Sequence, residues 1–87
     1  MTDDVVRTLR EEITAVDREI FAAVNRRVDL VARLKRHKEE HGIGFVDPDR
    51  ERQMTEERLQ ENTGPLSEGG LRSFYVELLA LMKREVG

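Results

Sequence analysis

The sequence predicts an all-α fold of three helices, the first of them very long. From Val6 to Leu34 the apolar residues recur at steps of three, four or seven, which is the spacing of one helix face. No proline or glycine precedes Gly42, so this helix can extend over about residues 3–41, roughly 58 Å at 1.5 Å per residue. With 87 residues, the chain is expected to form one domain, 1–87.

A short connection is predicted after the long helix, followed by a second helix. The glycine-containing segment 42–44 is typical of a helix C-terminus, and the apolar pair 45–46 makes a short connection. Asp47 suits an N-cap and Pro48 suits a first helical residue, since proline needs no donor there. These signals predict a second helix over about residues 48–61.

A third helix is predicted over about residues 68–86. The segment 62–65 breaks the second helix, and Ser67 suits the N-cap of the next one. Apolar residues at helical spacing form its expected buried face: Leu71, Phe74, Tyr75, Leu78, Leu79 and Met82.

Size and composition favour self-association. A chain of this length buries only about 60% of its unfolded surface and is marginally stable alone. It has no cysteine, and its two histidines lack the spaced partners of a zinc site, so we expect no disulfide and no metal. The first helix is too long to bury its apolar stripe against the rest of one chain. A homodimer built on the long helix is therefore expected.

The charge pattern excludes several classes of protein. A net charge of −3 argues against a nucleic-acid module, although residues 26–38 hold six basic residues against one acid. Charged residues make up 38% of the chain, no apolar run exceeds five residues, and the first four residues carry no basic signal. We therefore expect no membrane association and a cytoplasmic location.

Two cations interrupt the apolar stripe of the first helix. At 100° per residue, Arg27 lies within about 20° of Ile20 and Leu34, and Lys38 within about 40° of Leu34. A charge there is costly unless it is paired, although a long side chain can also place its stem on apolar surface and its charge in water. The two cations are 11 residues apart, roughly 16 Å along the axis, which leaves room for a small dianion.

Further charged residues lie where they could join these two. Asp47, Arg50 and Glu51 open the second helix, and a hairpin would return them to the end of the first. Taken alone, they are more typical of an N-terminal capping cluster with surface ion pairs. Arg10 lies roughly 25 Å from Arg27 along the rod, so it could reach the same ligand only from an antiparallel second protomer. Its alternative role is a surface partner of neighbouring acids.

The residues in this order resemble the all-helical chorismate mutase family. The resemblance extends without a gap from about Val6 to Arg58 and more loosely through the third helix. Its motifs are Leu9-Arg10-Glu11-Glu12-Ile13, Asp17, Arg26-Arg27-Val28-Asp29-Leu30-Val31, Lys38 and Asp47-Pro48-Asp49-Arg50-Glu51.

The resemblance implies an intertwined homodimer of three-helix protomers that converts chorismate to prephenate, in aromatic amino-acid biosynthesis, without a cofactor. It implies that Arg10 of the partner protomer and Arg27 bind the two substrate carboxylates. It assigns to Lys38 a carboxylate and the ether oxygen of the breaking bond.

The resemblance also assigns roles at the second helix. Asp47 and Glu51 would contact the C4 substituent of the substrate ring, and Arg50 would order them. Apolar walls that exclude water would come from Leu34, Val31 and Leu79.

The third helix departs from the family pattern. The family usually has a serine there and a glutamine or glutamate four residues later, and the matching positions are Met82 and Val86. A shift of one residue would instead match Leu81 and Glu85, and a glutamate must be protonated to donate a hydrogen bond. If no polar side chain of the third helix reaches the ether oxygen, Lys38 would be its sole donor.

This departure leaves the substrate open. The leading alternative is 4-amino-4-deoxychorismate, used for antibiotic precursors, because two carboxylates suit an ammonium group as well as a hydroxyl. Isochorismate pyruvate lyase, which uses the same fold, is a further alternative. A non-catalytic regulatory helical module is the alternative of another class.

Overall fold

Three helices form the fold of the chain, whose computed structural model describes residues 3–44 and 47–87. Helix α1 is Asp4–Glu40, α2 is Pro48–Glu61 and α3 is Glu68–Val86. The predicted all-helical class with one very long helix is confirmed for these residues. The predicted apolar connection at 45–46 lies outside them.

Helix α1 is closed by a cap at each end. The Asp3 side chain accepts hydrogen bonds from backbone N–H groups of the first turn. At the other end the Ile43 N–H donates to the Lys38 carbonyl at 2.8 Å, and the Gly42 N–H donates to the Glu39 carbonyl at 3.4 Å. This pair of bonds is a Schellman motif, which needs a left-handed residue, and Gly42 has φ of 66°. The cap therefore fixes where α1 ends, at Glu40, two residues after Lys38.

The two shorter helices begin at the predicted caps. The Asp47 carboxylate accepts from the Arg50 backbone N–H at 3.1 Å, and Pro48 follows as the first helical residue. The Ser67 hydroxyl accepts from the Gly70 N–H at 3.0 Å. Side-chain caps of this kind satisfy N–H groups that have no partner within the helix.

Helix α3 packs against both α1 and α2. The buried apolar side chains among the described residues all belong to it: Leu71, Tyr75 and Met82. Arg72 of α3 donates to Glu56 of α2 and to Glu68, each at 3.2 Å. On the other side, the Lys35 ammonium of α1 donates to the Val86 carbonyl at 3.1 Å.

An ion pair closes the last turn of α2. The Arg58 guanidinium donates two hydrogen bonds of 2.9 Å to the Glu61 carboxylate. These bonds lower the pKa of Glu61. They also raise the pKa of Arg58, to which a hydrogen bond with Tyr75 contributes.

Most of the apolar stripe of α1 is uncovered in the single chain. The molecule measures 62 × 24 × 18 Å, so the rod extends well beyond the helices that pack on it. Large apolar side chains of α1 that are at least 39% exposed are Val5, Val6, Leu9, Ile13, Val16, Ile20, Phe21, Leu30 and Leu34. Within the described residues, no helix combines the length and the apolar character needed to cross a membrane.

Candidate active site

A cavity of about 480 Å³ lies where the C-terminal part of α1, the start of α2 and the end of α3 meet. Its walls combine an apolar strip with charged side chains from all three helices. The lining residues are Arg27, Val31, Leu34, Lys38, Asp47, Arg50, Glu51, Met54, Leu79, Met82 and Lys83.

Helix α1 contributes two cations and two apolar side chains to this cavity. Arg27 and Lys38 are half-buried and line it, whereas the neighbouring Arg26 and Arg36 are exposed. The long helix holds the two cations about three turns apart, with Val31 and Leu34 between them along the same face. The structure thus brings together the two cations that interrupt the apolar stripe.

Helix α2 contributes the predicted charged group to the cavity. Asp47, Arg50 and Glu51 all line the cavity, and Asp47 also caps the helix. The Arg50 guanidinium donates to Gln53 at 3.2 Å and lies 3.9 Å from a Glu57 oxygen. These two contacts lie along its own helix, and the ordering of Asp47 and Glu51 by Arg50 stays a prediction.

Lys83 is the cation that contacts Glu51. Its Nζ lies 2.8 Å from Glu51 Oε1, across the gap between α3 and α2. Lys83 was not among the predicted site residues, although a signal was present: it follows Leu79 by four residues and so shares that residue's face. The cavity therefore holds one more positive charge than expected.

Of the other α3 residues considered for the site, some line the cavity and others do not. Leu79 and Met82 line the cavity, and Met82 is only 3% exposed. Val86 is half-buried, with its carbonyl bonded to Lys35. Glu85 is exposed and lies outside the cavity lining. In this chain the charged group that α3 presents to the cavity is Lys83, and Glu85 faces elsewhere.

Arg10 is not part of the cavity in one chain. It is exposed and lines a separate shallow groove on the N-terminal part of α1, together with Val6 and Glu11. Because α1 is a continuous helix, Arg10 stays roughly 25 Å from Arg27 along its axis. Only another chain could bring an Arg10 side chain to this cavity.

The electrostatics of the cavity suit a small dianion. Four cationic and two anionic side chains line it, a formal excess of two positive charges. Guanidinium and ammonium groups bind carboxylates through charge-assisted hydrogen bonds, and the apolar strip reduces competition from water. Among the residues that the structure describes, no group of three or more His, Cys, Asp or Glu side chains could hold a metal ion.

Comparison with known proteins identifies a family. The family model described as chorismate mutase type II matches residues 9–86. The T-protein of Haemophilus influenzae is 32% identical over 82 residues, which are 88% of this chain and 22% of that protein. The 4-amino-4-deoxychorismate mutase of Streptomyces venezuelae is 38% identical over 45 residues, 52% of this chain and 44% of that protein. The chain thus spans less than half the length of either curated relative.

Two solved chorismate mutase structures are similar to this chain over nearly their full length. Form I of the chorismate mutase of Thermus thermophilus superposes with a TM-score of 0.88 at 30% identity, covering 91% of this chain and 99% of that one. Form II gives a TM-score of 0.89 at 30% identity, with coverages of 93% and 92%.

Proposed function

Because the chain belongs to the chorismate mutase type II family, we propose that it catalyses the rearrangement of chorismate to prephenate. The observation that carries this proposal is the pair of half-buried cations, Arg27 and Lys38, that line one cavity with an apolar strip between them. Chorismate is a small dicarboxylate, and its charge matches the formal excess of positive charge in the cavity.

The chemistry needs geometry more than proton transfer. A [3,3]-rearrangement breaks one C–O bond and forms one C–C bond within a single molecule, so no acid, base or nucleophile takes part. It requires the enolpyruvyl side chain folded over the ring, and a clamp on both carboxylates supplies that conformation. Val31, Leu34 and Leu79 would exclude water from the folded substrate.

Lys38 would add stabilisation specific to the transition state. Negative charge grows on the ether oxygen as the C–O bond opens ahead of C–C bond formation. A cation held in position interacts more strongly with that oxygen in the transition state than in the ground state. Loss of such a donor costs about 3–4 kcal/mol in other enzymes, a rate factor of about 10²–10³.

The working form would be a homodimer of intertwined protomers in which Arg10 crosses to the partner's cavity. Two observations support it: the apolar stripe of α1 is exposed in the single chain, and Arg10 is too far along the rod to serve its own cavity. Burying that stripe against a second copy would add the hydrophobic stabilisation that this small chain lacks.

Subunit complementation tests the crossing of Arg10. Chains with Arg10→Met and chains with Arg27→Met should each retain at most about a tenth of wild-type activity. Mixed by unfolding and refolding together, they should recover up to about a quarter of wild-type activity, because half of the dimers are mixed and each has one intact site. No recovery, despite mixed dimers detected by mass spectrometry, would contradict the shared site.

The activity itself is tested by incubating the purified chain with chorismate and following the loss of its ultraviolet absorbance. The same assay with 4-amino-4-deoxychorismate tests the second candidate, which the name of the Streptomyces venezuelae relative favours. Isochorismate tests the lyase alternative, through released pyruvate. No turnover of any of the three, by folded dimeric protein, would leave the regulatory module as the better hypothesis.

A cytoplasmic location is also part of the proposal. It is supported by a surface rich in interspersed charges, which make up 38% of the chain. Fractionation of cells that produce the protein would test it.

A further inference from the structure

We infer that Lys83, through its contact with Glu51, makes the cavity select a hydroxyl over an ammonium group at C4 of the substrate. This inference rests on the proposed function, and it concerns a residue outside the positions matched by the family motifs. The starting observation is the distance of 2.8 Å between Lys83 Nζ and Glu51 Oε1.

The first step is the location of this ion pair. Both partners line the cavity that contains Arg27 and Lys38. The Glu51 side chain is 27% exposed and the Lys83 side chain is 48% exposed, so the pair lies at the cavity rim. A substrate group that hydrogen-bonds to Glu51 would be adjacent to the Lys83 ammonium, because the two side chains are in direct contact.

The second step is hydrogen-bond complementarity. The Glu51 carboxylate only accepts hydrogen bonds, and the Lys83 ammonium only donates them. A hydroxyl does both, so it can donate to Glu51 and accept from Lys83 at once. A substrate ammonium has only donors, so it could satisfy Glu51 but would face Lys83 with no acceptor.

The third step is charge. A substrate ammonium beside Lys83 would place two positive charges close together, and like charges in close proximity are unfavourable. Without Lys83, Asp47 and Glu51 would form an anionic pair suited to a cation. With it, Glu51 is already neutralised, which removes much of the attraction for a 4-amino substrate.

The experiment compares kcat/KM for chorismate with kcat/KM for 4-amino-4-deoxychorismate. Wild-type protein should prefer chorismate, and Lys83→Met should lower the ratio of the two values about tenfold. Lys83→Arg, which keeps the positive charge, should retain the wild-type ratio. Arg84→Met is the matched control, since Arg84 is the next cation on α3 but is exposed and outside the cavity lining, and it should leave the ratio unchanged.

A merely structural role for Lys83 predicts a different pattern. If the ion pair only tied α3 to α2, Lys83→Met would lower both kcat/KM values together and leave their ratio unchanged, which would overturn the inference. Loss of both activities in folded Lys83→Met protein would overturn it as well. If Lys83→Met does not fold, Lys83→Gln replaces it, and a wild-type preference for the 4-amino compound refutes the inference without any variant. Absence of turnover of both compounds by wild-type protein would instead refute the proposed function.

Discussion

Replacing Arg27 by methionine tests whether this residue binds a dianionic substrate or only stabilises the helix. Arg27 is half-buried on the apolar stripe and lines the cavity, while its neighbour Arg26 is exposed on another face. Each substitution removes one positive charge and keeps an unbranched side chain about as long as the aliphatic stem of arginine. The two variants therefore differ mainly in whether the lost cation faced the cavity.

The expected magnitude follows from the bonds that the guanidinium would make to a carboxylate. A hydrogen bond to a charged group contributes about 1.5–3 kcal/mol, so Arg27→Met should lower kcat/KM about 10- to 150-fold. Arg26→Met should change it by about twofold at most, as exposed substitutions usually do.

Unlike kcat/KM, the free energy of unfolding should not fall in the Arg27→Met variant. Arg27→Met removes a half-buried charge beside apolar residues, so the free energy of unfolding should stay the same or rise by up to about 1 kcal/mol. The assays are steady-state kinetics with chorismate and urea unfolding at one fixed protein concentration. Equal losses of activity in both variants, or a loss in Arg27→Met that is matched by its loss of stability, would refute the assignment.

Three further predictions concern the scaffold. Gly42→Ala should lower the free energy of unfolding in urea by about 1–2 kcal/mol, because φ there is 66°. Gly44→Ala, with open space around it, should change that free energy by less than about 0.5 kcal/mol, and equal effects would contradict the Schellman cap. Because folding lowers the pKa of Glu61 beside Arg58, the pair stabilises the fold at neutral pH, and this contribution is lost as pH falls through the lowered value. Glu61→Gln should therefore have a lower Tm than wild type at neutral pH, and the difference should disappear as the pH falls below the lowered pKa of Glu61, whereas a difference that persists in acid would contradict this. Met82→Ala should cost about 2–5 kcal/mol in urea unfolding, since Met82 is 3% exposed, and a loss below about 1 kcal/mol would contradict its burial.

The helix boundaries could be predicted because their signals are local. Asp47 followed by Pro48, and Ser67 before α3, specify caps through bonds to residues three positions away. The end of α1 depends on the left-handed conformation of Gly42, which glycine adopts at little cost. Such signals need no knowledge of the tertiary structure.

The cations of α1 could be selected because a long amphipathic helix has one clear apolar face. Arg27 and Lys38 lie within small angles of the apolar residues of that face, and both line the cavity. Helical spacing did not identify the cavity-facing side of α3, because residues 78–82 are all apolar and define no single face. Which side of α3 meets the cavity is decided by packing against α1 and α2, so Lys83 was missed and Glu85 was considered.

The pairing of charges also needed the tertiary structure. The cation on Glu51 comes from a helix that begins 17 residues later in the chain. Spacing along one helix cannot reveal such a contact, because it depends on how two helices dock.

A co-crystal structure with a stable bicyclic diacid that mimics the folded, rearranging substrate would test the central claim most directly. We predict one diacid per protomer in the cavity, with its carboxylates bound by Arg27 and by Arg10 of a second chain, and with Lys38 at the ether oxygen. A diacid bound elsewhere, or a single chain whose Arg27 and Lys38 side chains make no contact with it, would contradict the account.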